Sequence, residues 1–286
     1  MKFTVNDNRD VVKGVCDRGS ETCVKSVDEV STEKSTVFIS SSVGCPMKCK
    51  FCHLTINDTK YQSLSQEEIE ANTIDAVGMA GYWNNDIMNR TLKLSWMGMG
   101  DAMLHPEIIL DASSWIIDIL EDCEDVKGLQ RIDVSTVMPK SVSFNDMEYV
   151  SRLYKIMDKD GFRMFYSLFS AIPETRDYMI PNCKSAEDAM QMFREAGMTV
   201  TIHQIFIEGV NDNIDEVNAM IEFVNDNKDV IDEFRVLEYN EADNSWWFES
   251  ACYGAIGEHL MYRLQVPVKF QVSPGKEIKA ACGMFN

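Results

Sequence analysis

Three thiols fall within eight residues, Cys45-Pro46-Met47-Lys48-Cys49-Lys50-Phe51-Cys52, at the spacing C-x3-C-x2-C. One loop of that length can wrap three corners of a metal cluster. A cubane [4Fe–4S] cluster is normally held by four Cys thiolates. Three would leave one iron open, and an open iron is where a small molecule can be ligated and reduced. Zinc is the competing metal, but structural zinc takes four ligands, commonly as C-x2-C pairs. No second pair follows, and His53 adjoins Cys52 too closely along the chain to share its metal easily. Chance clustering is the remaining alternative.

Such a loop needs a scaffold. An extended run, Thr36-Val37-Phe38-Ile39-Ser40, leads directly into it. Strands are predicted at 36–42, 92–97, 131–136, 163–169, 199–207 and 234–239, with a final extended piece at 266–272. Helices are predicted at 65–81, 106–122, 144–158, 185–196, 214–227 and 246–263. In 106–122 the residues Ile108, Ile109, Ala112, Trp115, Ile116, Ile119 and Leu120 recur at helical spacing. Ser65 followed by Glu67 and Glu68 reads as a helix N-terminus, and Gly197 as a helix stop. Six strand–helix units argue for a parallel sheet with right-handed crossovers. The α/β class follows, as an incomplete (β/α)6 TIM-like barrel, with a doubly wound open sheet as the alternative. Residues 1–30 hold two short strand-like pieces around Asp17-Arg18-Gly19-Ser20 and are read as a β-hairpin extension. Residues 31–286 are then the main domain.

In either architecture the ligand lies at the C-terminal ends of the strands. The first strand ends in the cysteine loop. The second ends in Trp96-Met97-Gly98-Met99-Gly100-Asp101, where glycines admit a close approach and an acid can bind an ammonium or a ribose hydroxyl. The third and fourth carry Ser135 and Ser167 inside apolar runs, and the sixth ends in Tyr239-Asn240. Taken singly, each serine reads as well as a hydroxyl bonded to a neighbouring carbonyl.

Charge and cysteine usage narrow the class. The net charge is -19, which works against binding nucleic acid over a wide surface. Residues 45–60 carry +2 and residues 263–286 carry +3, leaving -24 for the rest. That is either a basic mouth on an acidic body or two ordinary basic loops. Six scattered cysteines beside the clustered three fit a reducing cytosol, so a cytoplasmic location is expected. No apolar run approaches membrane-spanning length and the N-terminus lacks an apolar signal core, so no membrane partner is expected.

The cysteine spacing, with Phe51 before the last thiol, resembles the radical S-adenosylmethionine (SAM) signature. Seven further segments extend the likeness in order: Met97-Gly98-Met99-Gly100-Asp101, Ser135-Thr136, Ser167-Leu168, Met179-Ile180-Pro181-Asn182, Glu208-Gly209-Val210-Asn211-Asp212, Tyr239-Asn240 and Ala280-Ala281-Cys282-Gly283. Together they resemble the radical SAM adenine-C2/C8 RNA methyltransferases, over about residues 36–286. The resemblance implies that Cys45, Cys49 and Cys52 ligate a [4Fe–4S] cluster. It implies SAM contacts from Phe51, Gly98, Met99, Gly100, Asp101, Ser135, Ser167 and Asn240. Asp101 stands where the family usually has Glu, beside the SAM amino group. Cys282 would accept a methyl group from one SAM. A second SAM would yield a 5′-deoxyadenosyl radical that removes hydrogen from that S-methyl, and the product radical would add to an adenine carbon. A radical is needed because an amidine carbon is no nucleophile. A one-electron reductant of flavodoxin or ferredoxin type is the expected partner, with RNA or a nucleotide as substrate and a monomer as the working unit.

The chain departs from the family at three places. Phe38 occupies the position, seven residues before Cys45, of a second cysteine that resolves the enzyme–RNA adduct. Cys16 or Cys23 could replace it, although each also reads as an ordinary buried thiol. Phe169 replaces a His of the family's Ser-Leu-His stretch, and only the hairpin stands where the family has an N-terminal RNA-binding domain. Three readings follow: a methyltransferase using a methyl-Cys282 relay, a radical SAM enzyme acting on a different, small or protein substrate, and a non-catalytic cluster or SAM binder.

Overall fold

The computed structural model describes residues 2–5, 11–15, 19, 21–29, 32–83, 91–121, 129–243, 245–272, 275–280 and 284. Cys16, Cys123 and Cys282 lie outside them. The chain opens with β1 (Lys2–Val5), β2 (Val11–Val15), β3 (Glu21–Glu29) and β4 (Thr32–Phe38). The short strands β5 (Ser42–Val43) and β6 (Gln62–Ser63) flank the cysteine loop and α1 (His53–Ile56). Then come α2 (Gln66–Trp83), β7 (Thr91–Trp96), α3 (Pro106–Glu121), β8 (Leu129–Thr136), α4 (Phe144–Gly161) and β9 (Phe162–Ser167). They are followed by α5 (Pro173–Met179), α6 (Ala186–Glu195), β10 (Val200–Gln204), α7 (Ile214–Asp226), β11 (Ile231–Leu237), α8 (Tyr253–Arg263) and β12 (Val268–Gln271).

One sheet runs β1-β2-β3-β4-β7-β8-β9-β10-β11-β12. Neighbours from β4 onward pair in parallel, which makes seven parallel strands joined by helical crossovers. Its edges are β1 and β12, so among the described residues the barrel is left incomplete, as the strand–helix alternation predicts. The expected hairpin is present as β2 and β3, paired from Val11↔Lys25 to Val15↔Glu21. It carries a third strand, β1, and β3 pairs in turn with β4 from Cys23↔Phe38 to Glu29↔Thr32. The N-terminal strands therefore prolong the main sheet edge-on rather than lie across it.

The helices are set by local signals. Ser65 accepts from Glu68 N at 3.3 Å while its own N–H donates to the Glu68 carboxylate at 2.9 Å, closing a capping box on α2. Gly197, at φ 66°, ends the turn after α6. Two expectations move. The strand predicted to reach residue 207 stops at Gln204, because the Asn211 side chain takes the Ile207 N–H at 2.7 Å. The last helix starts at Tyr253 rather than 246, since residues 246–252 form a loop over the strand ends. The short helix α5, opened by Pro173, has too few residues for its periodicity to show in the sequence.

The core lies between the convex face of the sheet and the helices. Ile132, Val134, Met164, Tyr166, Ile202, Phe234 and Val236 form it with Ile116, Leu153, Phe193, Met220 and Leu260. The concave face is different. Parallel strands covered on both faces read as continuous apolar runs, yet β8 alternates Arg131, Asp133, Ser135 with Ile132, Val134, and β11 alternates Glu233, Arg235 with Phe234, Val236. That alternation marks a sheet with one face in the core and one face toward a ligand.

Candidate active site

The cysteine loop leaves β4 and is clasped at its base by β5 and β6, paired at Ser42↔Ser63 and Val43↔Gln62. Gly44 makes the turn at φ 63°, where a Cβ would come within 2.7 Å of the Lys60 carbonyl oxygen, so only glycine fits. Lys48 also takes a left-handed conformation, at φ 57°. Three hydrogen bonds from two distant parts of the chain fix the loop. Lys50 N donates to Met179 O at 2.9 Å, Asn182 Nδ2 to Pro46 O at 2.8 Å, and the Tyr239 hydroxyl to Phe51 O at 3.0 Å. The Met179-Ile180-Pro181-Asn182 segment is thus a buttress for the loop. His53 turns away from the thiols and pairs with Asn240 O at 3.2 Å.

Cys45, Cys49 and Cys52 are half-buried and free of disulfides. Burial, and then the mutual repulsion of the three, pushes the Cys45 and Cys49 thiols far up from the ordinary thiol range. Held together this way, they ionise only beside a strong local cation, which is what cluster iron is. No three His, Cys, Asp or Glu side chains among the described residues converge as ligands of a single ion. The donor set of three neighbouring, half-buried thiols fits a cluster that takes one thiolate per iron.

Beside the loop, β7 ends in Gly98, Met99 and Gly100, which run against the exit of β4. Gly98 N donates to Ile39 O at 3.0 Å and Ser41 N to Met99 O at 3.0 Å. A Cβ on Gly98 would lie 2.4 Å from Ser40 Oγ, and one on Gly100, at φ 93°, 2.4 Å from Ser42 Oγ. Gly98 is therefore required by this backbone-to-backbone approach, and Gly100 by its positive φ and the Ser41 and Ser42 side chains against it. Asp101 is 5% exposed and joins three elements. Its carboxylate accepts from Met103 N at 2.9 Å, Thr136 Oγ1 at 2.8 Å and Val137 N at 2.8 Å. Burial outweighs these bonds and holds its carboxyl at about 6.

A cavity of about 200 Å³ opens at the strand ends next to the loop. Phe51, Gly98, Gly100, Asp101, Ser135, Ser167 and Asn240 all line it, and so does Cys52. Met99 does not; its side chain is buried against Leu54 and Ala280. Cys45 and Cys49 back the loop from the apolar cluster around Met47, Met179 and Ile180. One wall is aromatic. Phe51 stacks on Phe169 at 4.9 Å and 4°, and meets Tyr239 edge-on at 6.5 Å. Phe169 sits at φ 61°, a strained conformation for a bulky residue. Its carbonyl is held there by Gln204 Nε2 at 2.8 Å and Asn211 Nδ2 at 2.7 Å, which accounts for the Asn of the Glu208–Asp212 segment.

Several participants escape a reading of the sequence. Arg176 of α5 is 1% exposed and donates to the carbonyls of Ser167, Leu168 and Val137, tying the ends of β8 and β9. His203, Ile205, Leu237 and Glu238 also line the cavity. Strand pairing brings His203 there, opposite Ser167. Among the described residues, four lysines of the basic stretches are paired with acids. Lys60 pairs with Asp58, Lys276 with Glu238, Lys279 with Asp243 and Lys269 with Glu233. Lys50 lies over the Tyr178 ring at 3.2 Å.

Cys282 is outside the described residues. The chain two residues before it, at Ala280, is 1% exposed and packs beside Met99 and Leu54, with Phe38, Cys45 and Cys52 against the same cluster. Lys13 Nζ, paired with Glu21 at 2.6 Å, donates to Lys279 O at 2.9 Å, so the N-terminal strands hold this tail in place. The sheet register sets Cys23 opposite Phe38.

No family model matches the chain. Among curated proteins it is 28% identical to a probable dual-specificity RNA methyltransferase RlmN of Flavobacterium psychrophilum, over 92% of this chain and 72% of that protein. It is 27% identical to a protein of the same name from Prochlorococcus marinus subsp. pastoris, over 90% of this chain and 71% of that protein. Among solved structures it is similar to a radical SAM methyltransferase from Sphaerobacter thermophilus, with a TM-score of 0.75 and 20% identity. That likeness covers 99% of this chain and 80% of the other. The motif resemblance and the half-barrel are borne out: the chain is similar in sequence to proteins named RNA methyltransferases and in fold to a radical SAM methyltransferase, and is an enzyme of the transferase kind. No helix among the described residues is long and apolar enough to cross a membrane.

Proposed function

We propose that this radical SAM methyltransferase-like enzyme methylates an adenine carbon in RNA or a nucleotide, with Cys45, Cys49 and Cys52 holding a [4Fe–4S] cluster and the adjoining cavity holding SAM. The observation that carries the reading is convergence: the cysteine loop and the ends of β7, β8, β9 and β11 share one cavity. When bound, the cluster supplies the electron that cleaves SAM to methionine and a 5′-deoxyadenosyl radical. The chain's own part is placement. Gly98 and Gly100 bring backbone to the ligand, and Asp101, ionised, faces the SAM ammonium. Ser135, Ser167 and Asn240 orient the rest. The Phe51–Phe169–Tyr239 wall excludes water from the reacting end. Cys282 carries the methyl group, because a thiolate takes methyl from SAM where a hydroxyl would not. Resolving the adduct would fall to Cys16 or to Cys23, the latter set opposite Phe38 by the backbone register. The relatives named as RNA methyltransferases support an RNA substrate. A flavodoxin- or ferredoxin-type reductant and a cytoplasmic location complete the reading.

A second reading draws on charge. The pairing of Lys60, Lys269, Lys276 and Lys279 with acids leaves little positive surface for a polyanion, which favours the same chemistry on a smaller or protein substrate. The deciding measurement is mass spectrometry of anaerobically purified chain with SAM and a reductant. One added methyl on Cys282 and release of 5′-deoxyadenosine are expected. Cys49→Ala should lose the iron and all 5′-deoxyadenosine, and Cys282→Ser should keep the iron and SAM binding while losing methylated product. Full iron and SAM cleavage in Cys49→Ala would end the proposal.

A further inference from the structure

Of the cavity-lining side chains outside the sequence motifs, His203 alone carries a buried ring nitrogen with no partner. It is 8% exposed, and its Nε2 has no hydrogen-bond partner among the described residues. An imidazole nitrogen left unpaired in the interior costs about 1–3 kcal/mol. The position is otherwise well built. The ring lies 4.2 Å from Phe165, tilted at 36°, and the register sets His203 between Ser167 of β9 and Arg235 of β11. A rigid, desolvated ring beside a ligand cavity is placed to be completed by the ligand.

We propose that His203 is a SAM-recognition residue, and that it and Ser167 together hold the ribose diol of the adenosyl group. This rests on the reading of the cavity as a SAM site. Burial and the cations Arg235 and Arg163 push the imidazole down to about 3, so it is neutral. A neutral imidazole brings no opposite charge to the ammonium or the carboxylate of the methionine half. It both donates and accepts, as a hydroxyl does. Ser167, directly opposite on the neighbouring strand, supplies the second hydroxyl partner, and neighbouring strands lie about 4.8 Å apart. That spacing suits two adjacent hydroxyls held in a fork. Half a turn about Cβ–Cγ exchanges nitrogen and carbon edges without changing the ring's shape, so a nitrogen can be presented along the wall. The charged end of SAM then lies toward Asp101, at the end of β7 on the other side of β8 and β9.

The test is calorimetric binding of S-adenosylhomocysteine, and of its 2′-deoxy and 3′-deoxy analogues, to the full anaerobically purified chain. Wild type should bind the parent ligand and lose about tenfold with a deoxy analogue. His203→Leu should lose about tenfold with the parent and discriminate little further against that analogue. His203→Gln, which keeps a donor and an acceptor, should recover part of the loss and serves if the Leu variant folds poorly. Binding of both deoxy analogues by wild type as tightly as the parent ligand would overturn the inference, as would parent binding unchanged in His203→Leu. A wild-type chain that binds no S-adenosylhomocysteine would overturn the SAM-site reading itself, and the inference with it.

Discussion

The two faces of the parallel sheet obey different rules. Toward the helices, Ile132, Val134, Met164, Ile202, Phe234 and Val236 are each at most 1% exposed and meet other apolar groups. Toward the concave side, the same strands present Arg131 on Asp133 at 2.5 Å, and Glu233 among Arg235, Arg163 and Lys269. Above these charges lie the uncharged hydroxyls and aromatic rings of the cavity. One face gains its stability from non-directional burial, and the other gives up burial to keep polar groups aimed. Stability and chemistry are therefore separable by residue parity along each strand.

The comparison is broken most strongly on the convex face. Phe234→Ala should cost about 3–5 kcal/mol in denaturant unfolding while leaving ligand affinity in the surviving folded fraction unchanged. A loss of affinity without a loss of stability would mean that the two faces are not separable.

On the concave face the effect of Asp101 should depend on pH. Its folded-state pKa of about 6 exceeds the ordinary 3.8, so the folded chain binds this proton more tightly than the unfolded chain. Its contribution to stability therefore falls as pH rises from about 4 to about 6, by at most ~3 kcal/mol, and is level beyond. Urea unfolding followed across that window should show the downward component in wild type and not in Asp101→Asn. Identical pH profiles would remove the argument.

Smaller still is the ion network. Glu233→Gln leaves Arg235, Arg163 and Lys269 without their shared carboxylate and should cost about 1–2 kcal/mol, reduced by the solvent around Lys269. The loss should shrink in high salt, and a salt-independent loss would point to packing instead. The least costly change should be His203→Leu. Removing an unpaired buried nitrogen should leave thermal stability within about 1 kcal/mol of wild type, or slightly raise it. A large destabilisation would show that the ring is a core member like Phe234.

The sequence determined what repeats or what is contiguous. Helical periodicity placed α3 and α7 within a residue or so of their observed ends, because amphipathic spacing is a local property. The strand–helix alternation carried the parallel half-barrel, and the spacing of Cys45, Cys49 and Cys52 pointed to a cluster-binding loop, because all three lie on one short piece of chain. It also flagged Asp101, Ser135, Ser167 and Asn240, which end strands or stand out in apolar runs. Only the tertiary structure decided what those residues meet. That Gly98 and Gly100 yield to Ser40 and Ser42, that Asp101 spends three acceptor sites on β8 and its own turn, and that Arg176 ties two strand ends are contacts between distant parts of the chain. Nor could sequence show His203 facing Ser167 or Cys23 facing Phe38, since register is fixed by pairing across the sheet and leaves no mark on either strand alone.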